Sequence, residues 1–197
     1  MNNALKEFDT NIKVINDSMA IYNYLRKVAK NIDFSILLRS QYILVVSALD
    51  TFMHEIVIEK IIDCFFGKSV VTNVVCDFSF DLVVMLRNKK DYEQRELLRT
   101  FLSKKFSKDS FQSPKSIEYA FQIIGINNIW QKVSSDMGHA TRDVRDNLAI
   151  IVQRRNQIAH ESDIDKVNKC YRQISLCDVE YCRDFIQKLV ISFSKLL

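Results

Sequence analysis

Apolar residues recur at steps of three and four from the start of the chain: Leu5, Phe8, Ile12, Ile15, Met19, Tyr22, Leu25 and Val28. With about 3.6 residues per helical turn, these positions share a face and predict an amphipathic helix over residues 3–30. After a break at Asn31-Ile32-Asp33, a second helical pattern runs from Ser35, a candidate N-cap, to about Phe66, with Gly67 as a C-terminal glycine. Between Ile43 and Ile62 this segment is apolar on nearly all sides, the pattern of a helix central to a bundle. Asp50 and His54 interrupt it at i and i+4 and so share a face. They read as a satisfied polar pair at a helix junction. The alternative is that Asp50 supports a charged group in a functional site, since a buried carboxylate needs a partner.

Residues 69–76 are β-branched, but one short segment without a pairing partner makes no sheet, and a connection is expected there. From Ser79 to Phe106 the pattern is helical and heavily charged, with Arg87, Lys89, Lys90, Arg95, Arg99, Lys104 and Lys105, and then Lys108 and Lys115. Asp91, Glu93 and Glu96 dilute that charge. A solvated face is the ordinary meaning of such a run, and a groove that tracks phosphates is the alternative. Ser113-Pro114 opens a short helix to about Ile124, stopped by Gly125; Asn127 or Asn128 then caps another through Trp130, a core anchor, and Val133. Beyond Gly138 a helix extends from about Thr141 to His160. Ser162 with Asp165 has the spacing of a capping box, and Val179, Cys182, Phe185, Ile186, Leu189, Val190 and Phe193 mark a last bundle helix over 177–197. The expected fold is all-α, a single domain over 1–197: a bundle of four to five main helices with a short helical insert near 70–135.

Composition narrows this further. Three glycines and one proline in 197 residues cannot punctuate a sheet protein, whereas long helices need few turns. The N-terminus has no basic-then-apolar leader, and apolar runs such as Tyr42 to Ala48 fall short of a membrane span, so a cytoplasmic protein without a membrane partner is expected. A net charge of +4 permits an acidic partner without demanding one. The five cysteines (Cys64, Cys76, Cys170, Cys177 and Cys182) include no C-x-x-C pair, and the histidines lie apart from them. Buried, reduced thiols are expected, and no metal or cofactor.

Chemistry concentrates at the end of the 141–160 helix. The apolar run Leu148-Ala149-Ile150-Ile151-Val152 is followed by Arg154-Arg155-Asn156-Gln157-Ile158-Ala159-His160-Glu161-Ser162-Asp163. Asn156 and His160 lie about 40° apart around a helix and face the same way, whereas Arg155 is about 100° from Asn156 and reaches that side only through its long stem. Guanidinium fits a phosphate, imidazole exchanges a proton near neutral pH, and the amide orients either. A phosphodiester cut by its own 2′-hydroxyl needs those services and no metal. One histidine is a thin apparatus, and a symmetric dimer would bring two copies to one cleft. In the purely structural alternative, His160 interacts with the last helix carbonyls and Arg155 lies on the surface.

Arg155-Asn156-Gln157-Ile158-Ala159-His160 resembles the R-N-x-x-x-H form of the R-x(4–6)-H motif of HEPN domains (higher eukaryotes and prokaryotes nucleotide-binding). Leu37-Leu38-Arg39-Ser40-Gln41, Val46 to Glu55, Phe111-Gln112-Ser113-Pro114, Ile124 to Trp130 and Arg154 to Asp165 resemble the RiboL-PSP-HEPN branch. The resemblance implies a helical bundle that forms a homodimer with two motifs in one cleft. It also implies metal-independent endoribonuclease activity on RNA, as a toxin or effector in prokaryotic defence such as phage defence. Arg155, Asn156 and His160 are then the catalytic set, Arg154 and Asp50 supporting residues, and Lys104, Lys105 and Lys108 candidate RNA contacts. A cognate antitoxin or defence-system partner is a further expectation. The tyrosine that accompanies AMP-transfer control in this superfamily would stand two residues after the histidine, where this chain has Ser162. The alternative function is a non-catalytic HEPN module that binds a nucleotide or a partner.

Overall fold

The computed structural model describes residues 3–69, 72 and 90–197. Among these, the helices are α1 (Asn3–Val28), α2 (Ser35–Phe65), α3 (Asp91–Phe106), α4 (Pro114–Ile123), α5 (Ile129–Met137), α6 (Thr141–His160) and α7 (Leu176–Ser194). A two-residue antiparallel pair, β1 (Ile164–Asp165) and β2 (Cys170–Tyr171), separates α6 from α7. The architecture is all-α with one two-residue hairpin, as the scarcity of glycine and proline predicts. Apart from Ser69 and Thr72, the 69–76 connection, Cys76 included, lies outside the described residues, as does the charged stretch before Lys90.

Helix ends form where local chemistry closes them. Asp33 Oδ1 accepts the Ser35 N–H at 2.8 Å and Oδ2 accepts the Ser35 hydroxyl at 2.9 Å, so Asp33 supplies the capping carboxylate and Ser35 is the first helical residue of α2. At the far end Gly67 takes φ +71°, the Lys68 N–H reaches the Asp63 carbonyl at 2.7 Å, and the Gly67 N–H reaches that of Cys64 at 3.0 Å. That is a Schellman closure, which a side chain at Gly67 would strain. Ser113 and Ser175 each complete a reciprocal capping box, at α4 and α7. The box expected at Ser162 does not exist: Ser162 has φ +54°, incompatible with the extended N-cap geometry, and the chain there enters β1.

The chain forms two compact units, Met1–Phe52 with Trp130–Leu197, and Met53–Ile129. In the first, Phe8 of α1 meets Phe52 edge-on at 6.1 Å, and Trp130, 1% exposed, meets Phe193 of α7 at 6.2 Å. Gln41 of α2 donates to Ser18 of α1 at 3.0 Å, and Asp136 of α5 accepts from Ser192 and Lys195 at 2.6 and 2.7 Å. Burial on α1 holds from Ala4 to Met19 and then loosens, so that Val28, read as a core position, is 60% exposed. α2 is long and apolar enough in composition to cross a bilayer, but Leu38, Val45, Val46, Leu49, Phe52, Met53, Ile56 and Val57 are buried within the protein.

In the second unit, Arg99 of α3 pairs with Glu55 at 2.6 Å, and Arg95 pairs with Asp63 at 3.3 Å while lying over Phe66. These arginines of the charged run therefore serve α2 carboxylates, whereas Lys104, Lys105 and Lys108 are exposed. His54 Nε2 donates to the Asp109 carbonyl at 3.3 Å, with its ring 4.7 Å from Phe111. Cys64 and Cys182 are buried, and burial pushes the Cys182 thiol up to about 12. Cys170 and Cys177 are exposed, contrary to the reading of all thiols as buried, because they fall in the hairpin and the first turn of α7.

Candidate active site

α6 buries Val144, Leu148, Ile151, Val152 and Ile158, which turns Asn156 and His160 to solvent together. The two are one helical turn apart on that outer face. Arg155 is half-buried, and its Nη1 donates to Asn156 Oδ1 at 3.0 Å. The stem therefore carries the guanidinium toward the side of the helix that bears the amide. Arg155 Nε is buried with no acceptor, so the group retains unused donor capacity. The capping hydrogen bond at the end of α6 comes from the Glu161 N–H to the Gln157 carbonyl, at 3.1 Å.

Arg154 points elsewhere, and what it meets was not foreseen. Asp163 is 0% exposed and is gripped by two guanidinium groups. Arg39 Nε donates to Asp163 Oδ2 at 2.7 Å; Arg154 Nη1 bonds Oδ1, and its Nη2 reaches Oδ2 at 3.0 Å. Further arginine donors are used as well: Arg39 reaches the Ser35 hydroxyl at 2.6 Å and the Arg172 carbonyl at 2.7 Å, and Arg154 reaches the Gln173 carbonyl at 3.1 Å. A buried carboxylate is tolerated only when it is paired and hydrogen-bonded in this way.

This clamp sets the exit from the motif helix. Ser162 and Asp163 both take left-handed backbone conformations, φ +54° and +56°, each costing on the order of 1 kcal/mol for a residue with a side chain. The Asp163 N–H returns to the Gln157 carbonyl at 3.0 Å, and the Arg172 N–H reaches the Asp163 carbonyl at 2.8 Å. The turn immediately after His160 is thereby tied to α2, to α6 and to Arg172, the residue that follows β2. Arg154 thus acts as a support, by holding the chain. Asp50 is half-buried on α2, about 16 Å along the helix from Arg39, and the carboxylate at the motif is Asp163.

One signal in the sequence points to this arrangement. Arg39 lies one residue from Leu38 and three from Tyr42, apolar positions on the same helix, and a buried guanidinium demands a carboxylate. Its partner lies 124 positions away, beyond any local pattern.

The fold is thus a helical bundle whose α6 ends on Arg155, Asn156 and His160. The chain matches the family model RiboL-PSP-HEPN over residues 2–197 and belongs to that family. HEPN domains are generally ribonucleases or nucleotide-binding modules. No match was found among curated proteins or among solved structures.

Proposed function

We propose that this protein is a metal-independent endoribonuclease, acting as a homodimer and serving as a toxin or effector in prokaryotic genetic conflict. The observation that supports this most directly is the Arg155–Asn156 hydrogen bond at 3.0 Å beside the exposed His160: a cation, an amide and a proton carrier share the outer side of one helix end. In the reaction, the 2′-oxygen of one nucleotide attacks the adjacent phosphorus and the bond to the 5′-oxygen breaks. The products are a 2′,3′-cyclic phosphate and a free 5′-hydroxyl. His160 moves a proton, taking that of the 2′-hydroxyl or delivering one to the departing 5′-oxygen. Arg155 offsets the extra negative charge on the phosphorane, and Asn156 orients the guanidinium. Two copies of the motif in a two-fold cleft would supply one histidine for each proton transfer.

The test is cleavage of single-stranded RNA in chelator, wild type beside His160→Ala, with the new ends mapped. Cyclic phosphate ends made by wild type and absent with the variant support the reading. RNA left intact by wild type would favour a nucleotide- or partner-binding module instead.

A further inference from the structure

Tyr171 ends β2 and is 65% exposed, yet it is held in place. The Arg39 guanidinium lies 5.1 Å from its ring centroid. The next residue is pinned at both backbone groups: the Arg172 N–H donates to the Asp163 carbonyl at 2.8 Å, and the Arg172 carbonyl accepts from Arg39 at 2.7 Å. Arg39 is itself fixed by Asp163 and Ser35. An exposed ring on such a support costs little further ordering when something stacks on it.

The ring borders a cleft of about 480 Å³, within the size range of small-ligand sites, whose wall includes Asp33, Arg39, Arg172, Ile174 and Asp178. The Ser35 N–H and hydroxyl hold the Asp33 carboxyl below the usual carboxylate range, so it stays ionised. Asp178 accepts from the Ser175 N–H and hydroxyl, both at 2.7 Å. Each carboxylate has about four lone-pair sites and retains spare acceptors, while Arg172 Nε is buried without a partner. The wall carries two carboxylates and two guanidinium groups, so no net charge draws a phosphate inside. The carboxylates suit a neutral ring whose edge donates hydrogen bonds. Guanine offers adjacent N1–H and N2–H₂ donors to a carboxylate and acceptors to an arginine; uracil offers one N–H between two carbonyls.

We propose that this cleft is a subsite for an unpaired RNA base stacked on Tyr171, with guanine preferred to uracil. The proposal rests on the nuclease reading for its choice of RNA. The cleft and the motif share one support: Asp163, which Arg39 of the cleft wall grips, is three residues from His160, no more than about 11 Å along the chain.

The experiment measures binding of 2′-O-methyl single-stranded oligonucleotides, which cannot be cut, by fluorescence anisotropy. It uses wild type, Tyr171→Ala and Tyr171→Phe, with RNA cleavage kinetics in parallel. Loss of a stacking ring weakens single-strand binding roughly 5- to 150-fold, so Tyr171→Ala should bind at least about fivefold more weakly and lose the guanine preference. Tyr171→Phe should stay within about twofold of wild type, and Tyr171→Ala should raise KM with kcat kept. Wild-type affinity and KM in Tyr171→Ala, or no oligonucleotide binding by wild type, would overturn the subsite. Equal affinity for guanine- and uracil-containing strands would overturn its base assignment. Binding that depends on Tyr171 without cleavage would instead end the nuclease reading and leave the subsite standing.

Discussion

Arg154 and Arg155 are neighbours with different work. Arg154 is committed to the buried carboxylate of Asp163, whereas Arg155 reaches Asn156 on the outer side of α6. Their variants should therefore part. Asp163→Ala leaves the buried Arg39 and its partner Arg154 without a counter-charge and should lower unfolding stability by about 3–5 kcal/mol in urea titration. Arg155→Ala removes no such partner and should stay within about 0.5 kcal/mol of wild type. It should nonetheless lose at least about a hundredfold in RNA cleavage, the scale of removing one charge-stabilising donor. A large stability loss in Arg155→Ala would move that residue into the scaffold. Only part of this was readable from the chain. The motif shows which residue types meet at the helix end; the burial of Asp163 depends on α2 and the hairpin, whose approach no local spacing encodes.

Helices were legible because a period of 3.6 and a set of caps agree along most of the chain. α6 begins and ends at the expected residues, Thr141 and His160. The hairpin was not legible. Each strand has two residues, too few to show alternation, and Ser162-x-x-Asp165 imitates a capping box while its backbone is left-handed. The box that does form, thirteen residues on, joins Ser175 to Asp178: the Ser175 N–H meets Asp178 Oδ2 at 2.7 Å, and the Asp178 N–H meets Ser175 Oγ at 3.3 Å. Ser175→Ala should destabilise α7 by about 1 kcal/mol, seen as a shifted urea midpoint with an unchanged slope. An unchanged midpoint would show that packing of Val179, Cys182, Phe185 and Ile186 alone holds that end of the helix.

At the scale of the whole molecule, the proposed two-fold cleft would hold two copies of the motif. If two protomers share the cleft, mixing inactive Arg155→Ala with inactive His160→Ala protein should create heterodimers holding one intact arginine and one intact histidine. Such mixtures should cleave RNA faster than either variant alone, whereas a self-contained protomer gives no gain on mixing. The exposed Lys104, Lys105 and Lys108 belong to the compact unit Met53–Ile129.

The central claim is that Arg155, Asn156 and His160 form a nuclease site. The most direct measurement is the end-group analysis of single-stranded RNA incubated in chelator with wild type and with His160→Ala. Wild type should leave 2′,3′-cyclic phosphate and 5′-hydroxyl ends, and the variant should leave the RNA intact. Cleavage that persists at the wild-type rate in His160→Ala would contradict that claim.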